Sequence, residues 1–217
     1  MHMHLLVGAV GLAASVLSMA TVSATVVVYD VSQAFGGAQS GGTAPFVRLA
    51  FDDAAAPGAV RLTASAPGLD VTEWVARIHL NLDPAFDASQ LTFGNFEILS
   101  GTMPQPVAVR GRDVAEADGG GLFDVEFQFA VSGGGFARRF NQGEAFRMDL
   151  GGIPELNANS FNFLSAPPAA NGQQLLSVQI QGIGPEGLEG HHTVPELTTA
   201  GAALTAVGGL VLGRRRT

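Results

Sequence analysis

The side chains best suited to chemistry in this chain are three histidines, several carboxylates and one glycine-flanked serine. His79 alternates onto the polar side of an apolar run, and His191 and His192 stand together beyond the last such run. Three imidazoles could meet at a metal, but no HExxH-like spacing or turn motif holds them, so they read as a solvated strand histidine and a polar spacer. Asp113, Glu116 and Asp118 crowd the stretch from Gly111 to Gly121, with Asp83 and Asp87 as a second acidic group. Such oxygen donors suit calcium, yet neither group carries the D-x-[DN]-x-[DN]-G loop, and exposed carboxylates are ordinary on an acidic surface.

Ser40 lies in Ala38-Gln39-Ser40-Gly41-Gly42, which lacks the first glycine of a nucleophile elbow and reads as a flexible linker. Gly182-Ile183-Gly184-Pro185-Glu186-Gly187 has dinucleotide-loop spacing, but too little chain follows for the helix and second strand that such a site needs. Two acidic residues flanking a sugar cleft could serve a glycoside hydrolase, and nothing in the sequence says which would converge. The absence of cysteine removes disulfides, thiolate metal sites and cysteine nucleophiles. No catalytic residue, metal ligand or cofactor is assigned, and the chain reads as non-catalytic.

The elements that would position these groups are strands. From Thr72 the even positions run Thr72, Trp74, Ala76, Ile78, Leu80, Leu82, against Glu73, Val75, Arg77, His79, Asn81, Asp83. A period of two predicts a strand that buries the Trp74 row and wets the Arg77 row. Phe123, Val125, Phe127 and Phe129 repeat the pattern, as do Phe146, Met148 and Leu150. Further strands are expected at 25–29, 46–51, 60–64, 91–99, 107–110, 161–164 and 176–180. Clusters of Gly, Pro, Asp and Ser at 36–42, 55–58, 118–121, 133–135 and 166–172 read as turns. Many short strands without a long 3.6-period segment between the termini predict an all-β antiparallel sandwich, jelly-roll-like and single-domain, over residues 25–190.

The 217 residues, 47% of them hydrophobic, suffice for one core. Residues 25–193 hold eight Arg and eighteen acidic residues, a net charge of −10, with no basic stripe. That balance excludes a phosphate backbone and suits cations or neutral glycans.

The two ends read as an address. An apolar run from Leu5 to Ala20 precedes Val22-Ser23-Ala24, small residues of the kind signal peptidase accepts, so residues 1–24 are expected to be a helical signal peptide cut after Ala24. At the other end Val194-Pro195-Glu196-Leu197 precedes the apolar run 198–213, and Arg214, Arg215 and Arg216 follow. Sixteen helical residues reach about 24 Å, enough to span a bilayer with snorkelling arginines, and the arginines would stop transfer on the cytoplasmic side.

The order V-P-E, short apolar span and terminal Arg cluster resembles the PEP-CTERM sorting signal, here over residues 191–217, with Leu197 where the family has a second proline. The body is less specifically similar to such proteins through "WVARIHLNLD" at Trp74 to Asp83, Phe161 to Leu164, and Val178 to Gly184. The resemblance implies an exported protein of a Gram-negative bacterium. It would be held transiently in the inner membrane, processed by signal peptidase and an exosortase near Glu196, and delivered to the cell surface or an exopolysaccharide matrix. No nucleic-acid partner is expected. A carbohydrate-binding module or a calcium-binding adhesin is the alternative, and a glycan-active hydrolase a more distant one. With one Trp, one Tyr and fourteen Phe placed mainly on inward positions, a scaffold is favoured over a lectin.

Overall fold

The computed structural model describes residues 24–56, 58–132 and 136–195. The expected signal segment, including Val22, and the tail from Glu196, including Arg214, Arg215 and Arg216, lie outside them. Ala24 and Pro195 are exposed and Val194 is half-buried. Among the described residues no helix is long and apolar enough to cross a membrane.

Alternating β-branched and aromatic residues fold into two antiparallel sheets. In the first, β1 (Val26–Val31), β3 (Val47–Asp52), β4 (Val60–Ser65), β10 (Ala145–Gly151) and β6 (Thr92–Ser100) lie side by side in that order. The second runs β2 (Gln33–Gly37), β12 (Leu188–Thr193), β11 (Leu176–Ile183), β5 (Trp74–Leu80), β8 (Leu122–Gln128) and β7 (Val107–Glu116). The short β9 (Phe140–Asn141) also pairs with β5.

One hydrophobic core lies between the sheets. Leu49, Phe51, Leu62, Phe146 and Met148 come from the first, and Ile78, Leu80, Val125, Phe127, Val178 and Ile180 from the second. Phenylalanines knit the layers together: Phe93 stands edge-on to Phe127 at 5.3 Å, and Phe146 meets Phe129 at 5.7 Å and Phe140 at 5.4 Å. The alternation read at Val125 to Phe129 and at Phe146 to Leu150 therefore marks core-facing rows, whereas Phe123 is buried in a separate, smaller cluster.

Three elements differ from expectation. The stretch 161–164 is no strand, because Asn157 caps a 3₁₀ turn at Ala158–Phe161 with a reciprocal Ser160 bond, and Phe161 then stacks on Phe51 at 4.8 Å. Gly36 and Gly37, expected in a turn, belong to β2. His191, His192 and Thr193, expected beyond the body, are hydrogen-bonded into β12.

Candidate functional site

A bulge decides which side chains of β5 face outward. Opposite β11, Arg77 pairs with Gln179 but Val75 with Ile180, so one residue is inserted at Ala76. Parity flips there. Ile78, Leu80 and Leu82 are buried as expected, yet Val75 is fully buried and Trp74 is turned to the outer face, half-buried. The expected single apolar row beginning at Trp74 is thus broken in two.

Three polar rows cross the outer face of the second sheet. His79 stands between Glu126 and Ser177, Arg77 between Gln128 and Gln179 with His191 beyond, and Trp74 beside Gln181 with Glu189 beyond. The first row is covered. Phe35 of β2, Ala115, Ala117 and Phe123 form a second small apolar cluster over it, with Phe123 5.4 Å from the His79 ring and Phe35 5.9 Å from His191. Ser165 fastens this cover by donating to Gly120 O and accepting from Gln174 N.

His79 is fully buried, not solvated, and neither ring nitrogen has a hydrogen-bond partner. Its Nε2 lies 3.7 Å from Glu126 Oε1, too far for a hydrogen bond but close enough for charge to be felt. The neighbouring His79 imidazole, then the Gln128 amide and Arg77, hold Glu126 below the usual carboxylate range. His191 stacks against His79 at 6.1 Å and places Nδ1 3.1 Å from Ser177 Oγ. Burial first, and then His79, pull the His191 pKa down to about 4, so the ring is neutral at pH 7.

His192 points to the core side, edge-on to Phe46 at 5.5 Å. Its Nδ1 donates to Gly190 O and its Nε2 accepts from Ser40 N at 3.0 Å, an arrangement that burial reinforces by lowering its pKa. Ser40, expected in a flexible linker, is buried, and its hydroxyl donates to Glu73 at 2.6 Å. Glu73, expected on the wet row, is also buried and accepts from Gly41 N and Asp70 N as well. Serine, histidine and glutamate meet here, yet the histidine binds the serine's amide rather than its hydroxyl. The trio clamps residues 40–42 to 70–73 and does not form a nucleophile–base relay.

The acidic candidates do not converge. Asp113, Glu116 and Asp118 are exposed along β7 and the turn after it, and among the described residues no group of three or more His, Asp or Glu side chains is arranged to hold a metal ion. Asp83 accepts from Ala85 N, and Asp87 caps a 3₁₀ turn at Ala88–Gln90, so both carboxylates tie up local backbone. Gly184 and Gly187, both at positive φ, close the hairpin between β11 and β12.

Apart from the buried His191, the outer two rows border a groove of about 430 Å³, at whose floor Gln179 is largely buried. Its polar lining is Arg77, Gln128, Gln179, Gln181 and Glu189, and the exposed Val131 forms an apolar side, while the Phe129 ring beneath is turned into the core. Gln179 and Gln181 each donate an amide hydrogen to the same Glu189 oxygen at 3.0 Å, which fixes both side chains and leaves their carbonyls as acceptors. Near this region, Trp74 carries the Arg139 guanidinium 3.7 Å over its ring. The Q-x-Q alternation at Gln179 and Gln181 was a readable signal for this face, but Gln128 and Glu189 had none. No family model matches this chain, and no curated protein or solved structure matches it.

Proposed function

We propose that the chain is an exported, non-catalytic cell-surface or extracellular-matrix protein of a Gram-negative bacterium. In this reading a signal peptide ends at Ala24, and residues 198–213 with Arg214 to Arg216 hold the protein in the inner membrane as a single helix. An exosortase acts near Val194-Pro195-Glu196, and the β-sandwich is then retained in exopolysaccharide. The ordered V-P-E, apolar and Arg segments support the address.

One observation supports the non-catalytic body: the groups suited to acid–base or nucleophilic work are spent inside the fold. Ser40, Glu73, His79, Ser177 and His192 are buried, and Ser40, Glu73 and His192 hold backbone in place. Intact-mass analysis of protein from the envelope and medium of the producing cell tests the reading. The expected species begins at Thr25 and lacks Arg214 to Arg216; full-length protein in the cytoplasm would refute it.

A further inference from the structure

We infer that the groove across β8, β5, β11 and β12 is a binding site for a neutral polysaccharide chain. The inference deepens the matrix reading and relies on it only for placing the groove outside the cell.

The chemistry of the groove limits what it can take. It lies over strands that are hydrogen-bonded to neighbours on both sides, so no backbone edge is free to receive a peptide strand. A ligand must be held by side chains. Those offered are the carbonyls of Gln179 and Gln181, the Gln128 amide, the Arg77 guanidinium and the Glu189 carboxylate, a mixture of donors and acceptors within one shallow depression. Sugar hydroxyls both donate and accept, and they can use such a mixture without leaving either kind unpaired.

Apolar Val131, 42% exposed, meets the C–H face that a pyranose presents beside its hydroxyls. Charge then selects among glycans. Arg77 lies 3.2 Å from Glu126, so the cation of the groove is already matched, and the body around it is strongly acidic. A polyanionic chain would be repelled, and a neutral one would not. Trp74 is no stacking platform, because Arg139 occupies one face and Gly182 approaches the ring closely.

The test uses the full chain in a polyoxyethylene detergent, since sugar-headed detergents would compete. Isothermal calorimetry is run with cello-, laminari- and malto-hexaose and with hexagalacturonate as the acidic probe. The expected result is binding of at least one neutral hexasaccharide with Kd below about 1 mM, weakened about tenfold or more in the Gln179→Ala/Gln181→Ala double variant. Glu189→Ala and Arg77→Ala, at exposed positions, give the same readout should the double variant fail to fold. Asn95→Ala, on the opposite sheet, is expected to bind like the parent chain. Failure of all three neutral probes, tighter binding of hexagalacturonate, or unchanged affinity in the groove variants would overturn the site. Binding is read on purified protein, so a negative result here leaves the export reading standing, and a wrong mass in the export test leaves the groove standing.

Discussion

The two outer faces of the sandwich carry polar rows of opposite character. On the first sheet, Arg48 pairs with Asp30 at 2.6 Å, Arg61 with Asp149 at 2.8 Å and Arg147 with Glu97 at 2.6 Å, each across neighbouring strands and open to solvent to varying degree. On the second sheet the corresponding side chains are His79, Glu126, Ser177 and His191, roofed by Phe35, Ala115, Ala117 and Phe123. Water sets the difference. Solvated ions need little help and contribute little, whereas under the roof His191 stays neutral and Glu126 leans on its neighbours, because charging a group without water is costly.

Acid should separate the two faces most strongly. The folded His191 pKa, about 4, lies below the ordinary 6.5, so the unfolded chain takes up a proton first as pH falls. Stability is complete above about 6.5, declines between 6.5 and 4 and then levels off, with a loss of up to about 3 kcal/mol from this residue. Asp30 and Asp149 are held below the ordinary 3.8 by their arginines, and their contribution is lost only as pH falls through those lowered values. Urea unfolding from pH 7.5 to 3 should show the first window made shallower in His191→Phe, with the share that buried His192 contributes remaining, and the lower one intact. An unchanged first window in that variant would remove the contrast.

A smaller effect is expected from closing the roof badly. A methyl group at Gly120 would strike the Phe35 ring, so Gly120→Ala should cost about 1–3 kcal/mol and raise amide exchange in β2 before β3 or β4. Uniform loss of protection across both sheets would show that the roof is not a separate unit. Smallest of all, Arg48→Ala on the solvated face should leave the urea midpoint within the scatter of replicate measurements, because Arg48 and Asp30 are both about half exposed.

Much of this architecture was legible in the alternation of side chains, but not all of it. Val125 and Phe127 could be placed on the core side because a strand buried on that face needs no knowledge of its partner. Trp74 could not, because its direction depends on a bulge defined against Gln179 and Ile180, more than a hundred residues later. The burial of His79 is hidden from the sequence for a related reason: period two shows which residues lie away from the core, and only tertiary packing shows that Phe35 and Phe123 cover this one. The strands β2 and β12 carry little strand signal, rich as they are in glycine and polar residues, and pairing sustains them, β12 against β11 and β2 against β12. The groove was half visible in Gln179 and Gln181, but Glu189 joins them only through the hairpin register.

The place of β12 within its sheet bears on how the molecule takes mechanical load. The strand is paired with β11 along one side and β2 along the other, and the chain leaves it directly through Val194 and Pro195. Tension arriving from that end runs along the strand axis, so the bonds of both ladders share it side by side and do not rupture in succession. The C-terminal end of the sandwich is thereby built to resist traction.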